Sequence, residues 1–450
     1  MTARVRVALP IALLVAGLAT FGMPSRAAVP VAGGPTRYRL ANGLTVIVSE
    51  NRSSDLVVAQ ALIRAGTRLE DPAQSGITFF VRGMLVRGTQ RRTATEIAQT
   101  IEGVGGLMGG GTGADFTSIY TITPSRHLDV GLDLLADLLS DARFDPQDIE
   151  TQRRISLSRI SQNEDQPLQH AIDLFNATLY PYHPYAHSVL GTRETVSSLT
   201  REHLVAFYRS FFTAPNTVLV VAGNIATNQA LEKVERAFGR LRTEPSPRRH
   251  GWLRAVERAL APPLPAPREV RESRAIAAAW IALGYLGVPV GHQDFPALRV
   301  LSALLGEGMS SRLFVQIRER AGLAYQVGSV LPVRAGPSHL RIIAGTDPPN
   351  LSTVVAAMLR EVERLRAEAP PAEDVAQAKR SIIGRYALAR EDLEQRAFYL
   401  GWYEVLGVGF EYDARFAEEI GRVTPEDLLR VARRYLTSHV LAVVAPPTAR

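Results

Sequence analysis

The sequence predicts an α+β protein of two similar domains, and three observations carry that expectation. A chain of 450 residues exceeds what one ordinary core supports, and two domains of roughly 200 residues are the natural division. Residues 241–268 are rich in Pro and Arg, lack a hydrophobic period, and read as a linker that stiffens at Ala261-Pro-Pro-Leu-Pro-Ala-Pro267. The order of apolar patterns before this linker also returns after it. The expected domains are therefore residues 35–240 and 269–446.

The first elements are extended. Two short alternating runs within 38–48 flank Asn42-Gly43, a pair that favours a tight hairpin turn, and 56–65 is a more apolar strand. Helical spacing follows at 76–86 and at 95–104, where Ile97, Ala98, Ile101 and Val104 share a face. The glycine-rich run 103–113 opens into 115–123, whose clean alternation is that of a strand. Gly109-Gly-Gly-Thr-Gly113 lacks the Lys-Ser/Thr that completes a phosphate loop. Its glycines suit close approach of another backbone to an edge strand. Helices are expected at 128–139, 146–163, 170–179 and 200–212, and a strand at 217–222 closes the first domain.

Beyond the linker the plan repeats. The strand at 277–284 parallels 58–65, the apolar helix at 295–305 parallels 76–86, and 371–380 parallels 146–154. The helix and strand at 426–435 and 440–444 parallel 202–208 and 218–222. Within this second half, Leu313, Phe314, Ile317 and Ala321 recur at three- and four-residue intervals, a short helix that Gly322 ends. Leu323, Tyr325 and Val327 then alternate as a strand. Arg312 stands at the helix entrance and Tyr325 on the departing strand. One side chain is a permanently charged donor and the other a phenolic one, so the pair is a candidate grip for a carbonyl or a carboxylate.

The N-terminus carries Arg4 and Arg6, an apolar run at 7–22, and Pro24-Ser-Arg-Ala-Ala28. Residues 1–28 read as a secretory signal peptide cleaved after Ala27 or Ala28, which predicts a periplasmic or secreted protein; retention as an anchor is the alternative. No later apolar run has spanning length, so no membrane span is expected after cleavage. The chain has no Cys, which excludes disulfides, thiolate zinc ligands and lipid attachment at cysteine. Removing Arg4, Arg6 and Arg26 takes the formal charge from +7 to 7 − 3 = +4, and no stretch interleaves basic and aromatic residues. Nucleic acid is not an expected partner.

Two stretches resemble a known family. Gly308-Met-Ser-Ser-Arg-Leu-Phe followed by Gly322-Leu-Ala-Tyr is similar to the second-domain signature of the M16 zinc peptidases, the inverted-motif metallopeptidases. Gly76-Ile-Thr-Phe-Phe-Val-Arg-Gly-Met-Leu-Val-Arg-Gly-Thr89 resembles the frame in which that family carries His-x-x-Glu-His, two zinc ligands on one helix face with a general base. Here Phe79 stands at the first His position, Arg82 at the base and Gly83 at the second His. The family's remaining ligand, a Glu on a later helix, aligns with Arg159 in Gln152-Arg-Arg-Ile-Ser-Leu-Ser-Arg-Ile160. Phenylalanine has no lone pair to donate, glycine has no side chain, and two guanidinium groups repel a dication. No zinc is expected in this chain.

The resemblance covers nearly all of the chain after the signal. It implies a mitochondrial-processing-peptidase-like fold, each domain a predominantly antiparallel mixed sheet packed with helices. It further implies a zinc-less subunit of a heterodimeric peptidase. A homologous partner with an intact His-x-x-Glu-His would bind zinc, while Arg312 and Tyr325 of this chain hold the peptide substrate. No hydrolysis is expected from this chain alone. The competing reading is a pseudo-peptidase scaffold or peptide-binding protein without a role in proteolysis. His183-Pro-Tyr-Ala-His187 matches a structural loop of the family, and Pro184 disfavours a helix through both histidines. His127, His170 and His203 lie far apart in sequence, and Glu164-Asp165 reads as a solvated pair at a helix end.

Overall fold

The computed structural model describes residues 34–181, 183–244 and 264–447. The expected signal peptide (1–28) and residues 245–263 of the expected linker lie outside them. The hairpin at Asn42-Gly43 forms, with β1 (Thr36–Arg39) antiparallel to β2 (Thr45–Glu50). Its turn is closed by the Leu44 amide donating to Asn42 Oδ1 at 3.1 Å and by backbone bonds between Leu40 and Leu44 and from Gly43 to Leu40.

The first sheet adds β3 (Leu56–Ile63), β4 (Leu107–Thr112), β5 (Thr117–Pro124) and β6 (Thr217–Gly223), in the order β1-β2-β6-β3-β5-β4. Only β2 and β6 run parallel. The glycine-rich run is itself the edge strand β4; glycines carry no alternating side-chain pattern, so periodicity does not announce it. The second sheet contains β7 (Arg268–Ser273), β8 (Ala279–Leu286), β9 (Gln326–Val330), β10 (His339–Thr346) and β11 (His439–Ala445), ordered β7-β11-β8-β10-β9. Strand for strand this is β2-β6-β3-β5-β4 again, with the same single parallel pair. The fold is α+β, two homologous halves each built on a predominantly antiparallel mixed sheet.

Fourteen α-helices of six or more residues are described. The first half holds α1 (Ile77–Leu85), α2 (Ala94–Glu102), α3 (Leu128–Asp141), α4 (Pro146–Glu164), α5 (Pro167–Leu179), α6 (Arg193–Ser198), α7 (Arg201–Phe211) and α8 (Thr227–Phe238). The second holds α9 (Phe295–Gly306), α10 (Leu351–Ala367), α11 (Ala372–Ala389), α12 (Leu393–Leu406), α13 (Tyr412–Arg422) and α14 (Pro425–Tyr435). Helix α8 is not among the expected elements, although Ala230, Val234 and Phe238 bury one face at four-residue spacing.

The pleat of the first sheet sorts its side chains between two cores. Val46, Val48, Val57, Ala59, Ala61 and Ile63 pack with residues of α1, α3, α7 and α8. Ile47, Val58, Leu62, Val218 and Val220 face the other way and meet Ala397, Leu400 and Val405 of α12, a helix of the second half. The second sheet reciprocates: Ala282, Val440, Ala442 and Val444 are covered by Ala171, Phe175 and Leu179 of α5, a helix of the first half. Helices α5 and α12 follow the long helices α4 and α11 at the same point of the repeat, so the halves exchange equivalent helices. Gly401 permits the close approach of α12, because a Cβ there would lie 2.2 Å from Leu62.

A polar seam joins the halves beside α5. Asp115, buried just before β5, accepts from Arg68 Nε at 2.8 Å, from the Tyr185 hydroxyl at 2.7 Å and from the Ala335 amide at 3.2 Å. The Gly336 amide donates to the Tyr185 hydroxyl, and the Tyr180 hydroxyl donates to the Pro337 carbonyl. Arg334 covers the Tyr185 ring at 4.2 Å from its centre. The His183-Pro-Tyr loop belongs to this seam: the Tyr185 amide donates to His183 Nδ1 at 3.1 Å.

Candidate functional site

The Arg312–Tyr325 segment begins where α9 runs into the backbone of β9. The Gly306 backbone lies against the Ser329 amide, and a Cβ on Gly306 would come within 2.4 Å of it. Ser311 closes the following turn, its hydroxyl donating to the Gly308 carbonyl at 2.7 Å. Leu313 and Ile317 then anchor the expected short helix in the core; its turns over Phe314–Arg320 are π-helical rather than α-helical. Gly322, with φ of 63°, reverses the chain at no steric cost. The Tyr325 amide donates to the Gly345 carbonyl at 2.9 Å and delivers the chain into the second sheet.

These elements place Arg312 and Tyr325 differently. The Arg312 side chain is 19% exposed and lines a cavity of about 90 Å³ with Glu307, Ser311, Asp374, Gln377 and Ser381. Its Nη2 lies 3.4 Å from Asp374 Oδ2, long for a charge-assisted bond, and its other donors have no hydrogen-bond partner among the described residues. Tyr325 is 57% exposed, and its hydroxyl donates to Asp347. That bond, together with the Asp347 charge, holds the phenol above its ordinary value, so it stays a donor. Among the described residues the two side chains share no partner; each has an acid of its own, and neither acid was expected from the sequence.

The four positions that the resemblance aligns with the zinc motif lie close together. Phe79 and Arg82 lie one turn apart on α1, and the Arg159 guanidinium on α4 sits 5.6 Å from the centre of the Phe79 ring. Arg82 donates to the Gly110 carbonyl on β4 at 2.5 Å. Burial, and then the Arg159 charge, pull Arg82 below its ordinary value, while Tyr120 opposes them. The space a side chain at Gly83 would take is filled by the Gln152 carboxamide, 2.4 Å from where that Cβ would stand. A ring, two cations and a neutral amide do not fit a zinc ion. No three His, Cys, Asp or Glu side chains among the described residues gather in a metal-holding cluster.

Other sequence candidates are structural. His183 is buried, and burial, with Arg334 and Arg68 nearby, lowers it to about 4. His170 Nε2 meets Glu272 at 2.7 Å, another link between the halves, and His203 caps the start of α7 through Thr200. Glu164 pairs with Arg193 at the end of α4. Asp115 is a structural centre that residue spacing does not reveal, since its donors come from three segments distant in sequence.

Comparison with known proteins agrees with this geometry. Residues 45–193 match the family described as insulinase (peptidase family M16), and residues 198–382 match the peptidase M16 inactive domain. An uncharacterized zinc protease of Mycobacterium tuberculosis is 30% identical over 431 residues, covering 94% of this chain and 96% of that protein. The uncharacterized zinc protease YmxG of Bacillus subtilis is 27% identical over 411 residues, covering 91% and 98%. A protease from Helicobacter pylori superposes with a TM-score of 0.85 at 21% identity, over 92% of this chain and 99% of that one. A peptidase M16 inactive domain from Pseudomonas fluorescens superposes with a TM-score of 0.84 at 20% identity, over 92% and 99%. With both halves matched and the strand order repeated, this chain belongs to the M16 peptidase family.

Proposed function

We propose that this chain is the zinc-less subunit of a two-chain M16-type peptidase. A homologous partner bearing His-x-x-Glu-His supplies zinc and the general base, while this chain holds the peptide through Arg312 and Tyr325. The observation that carries the reading is the contrast between its two motifs. Phe79, Arg82, Gly83 and Arg159 replace every group that zinc chemistry needs, whereas the Gly308–Tyr325 segment keeps both of its hydrogen-bond donors. The exposed Tyr325 hydroxyl is available to a substrate carbonyl once Asp347 is displaced, and Arg312 has uncommitted donors. The expected location is the periplasm or the exterior, after cleavage of residues 1–28.

A second reading, a scaffold or peptide-binding pseudo-peptidase, draws on the ion pair of Arg312 with Asp374 and the bond of Tyr325 to Asp347, which give both residues a structural role. One experiment separates the readings. The chain is purified alone and with a homologous subunit that retains the zinc motif, and zinc content and cleavage of quenched fluorescent peptides are measured. Zinc and hydrolysis are expected only with the partner, and faster hydrolysis than the partner achieves by itself. Hydrolysis by the isolated zinc-loaded chain refutes the assignment; a partner fully active without this chain leaves the scaffold.

A further inference from the structure

The altered zinc motif is more than a loss, because it assembles two cations without a counter-ion. Arg82 is half-buried and fixed on one side by the Gly110 carbonyl, the one hydrogen-bond acceptor it has among the described residues. Arg159 reaches toward it from α4 over the Phe79 ring and has no hydrogen-bond partner among the described residues. Neither guanidinium has a carboxylate within ion-pair distance there. Other arginines of α4 are spent differently: Arg153 donates to Glu150 and to the Val196 and Leu199 carbonyls. Like charges held together in a partly desolvated place are unfavourable unless an anion joins them.

We propose that this position is a carboxylate-binding site, in which the Arg82 and Arg159 guanidinium groups together take a terminal or side-chain carboxylate of a bound peptide. The chemistry is that of the arginine fork, whose planar donors match the two oxygens of a carboxylate. Phe79 presents an aromatic face beneath Arg159, 5.6 Å from its guanidinium carbon to the ring centre. Burial, and then the Arg159 charge, pull Arg82 below its ordinary value, and an incoming anion offsets this. The surroundings also give direction. Tyr120 on β5 feels the charges of Glu394 on α12 and of Asp392, which caps that helix, as well as that of Arg82. A carboxylate is drawn to the arginine side and repelled from the acidic one.

That the carboxylate belongs to a peptide rests on the subunit reading above; the anion site is a property of this chain and is tested without a partner. Fluorescein-labelled decapeptides of Gly, Ser and Ala are titrated into the full purified chain and followed by anisotropy. One has a free C-terminal carboxylate, one is amidated, one is amidated with a single central Glu, and one carries Gln in its place. At least one carboxylate-bearing peptide is expected to bind about 10- to 100-fold more tightly than its neutral counterpart, with that advantage lost in Arg82→Gln and in Arg159→Gln. The free-terminus and Glu arms identify which carboxylate is taken. Equal binding of charged and neutral peptides, no binding by either, or an advantage that survives Arg159→Gln overturns the proposal. Arg159 is exposed, so its variant folds even where Arg82→Gln does not. Carboxylate binding without any cleavage beside a zinc-bearing partner would sink the subunit reading and leave this site standing.

Discussion

Three donors converge on Asp115, and each comes from a different part of the chain: Arg68 before α1, Tyr185 after α5, and the Ala335 amide between β9 and β10. Asp115→Ala leaves all three without their acceptor in a water-poor seam, which costs about 3–5 kcal/mol. Asp115→Asn keeps the shape and one acceptor and costs less; urea denaturation of both variants checks the order. For Arg312 and Tyr325 the expectation is kinetic. In the assembled peptidase, Arg312→Ala and Tyr325→Phe each lower kcat by about 10²- to 10³-fold if they act as oxyanion-hole donors do, with assembly and zinc content unchanged. Unchanged cleavage would remove the pair from the mechanism. Sequence spacing places Arg312 at a helix entrance, as found, whereas Tyr325, expected on the strand, stands one residue before β9. It cannot supply Asp374 or Asp347, because tertiary packing brings those acids to them from 62 and 22 residues away.

Among elements, the exchange of α5 and α12 is the feature that patterns alone leave undetermined. An apolar stripe such as Ala171, Phe175 and Leu179 says that a helix buries one face; it does not say which sheet receives it. The repeat of strands, the hairpin and most helices are legible because each is a local period with its own turn signals. Other elements are not: half of β4 is glycine, helices such as α8 and α12 are not among the expected elements, and the π-helical turns over Phe314–Arg320 share their apolar spacing with an α-helix. The exchange has a measurable consequence. Phe175→Ala truncates a fully buried ring of the first half that packs on the second sheet, and a loss of about 3–5 kcal/mol is expected. Hydrogen exchange should then show β8 and β11 losing protection together with α5. Protection lost from the first sheet alone would contradict reciprocal packing.

On the scale of the whole molecule, the exchanged helices and the Asp115 seam make the halves interdependent, and the buried histidines of that seam tie their union to pH. In the unfolded chain a histidine takes its proton near 6.5, whereas His183 in the folded chain resists protonation down to about 4, chiefly through burial and then through Arg334 and Arg68, with Asp115 opposing. His339, fully buried beside Tyr180, is likewise held well below its ordinary value by burial and by Arg334 and Arg341. Between pH 6.5 and 4 the unfolded state therefore binds more protons than the native one, and stability falls as pH falls. Glu70 works in the opposite sense. Burial raises it to about 7 despite the Gly76 and Thr78 amides that donate to it, so its contribution weakens as pH rises from 4.5 toward 7. The two trends are separable by substitution. His183→Asn keeps an acceptor for the Tyr185 amide but cannot titrate, and it should flatten the acid limb of the stability profile by on the order of 2–3 kcal/mol. Glu70→Gln should flatten the limb between pH 4.5 and 7 and leave the histidine-dependent loss in place. Thermal melts from pH 4 to 8 measure both, and an acid limb unaltered in His183→Asn would place the pH sensitivity elsewhere than at His183.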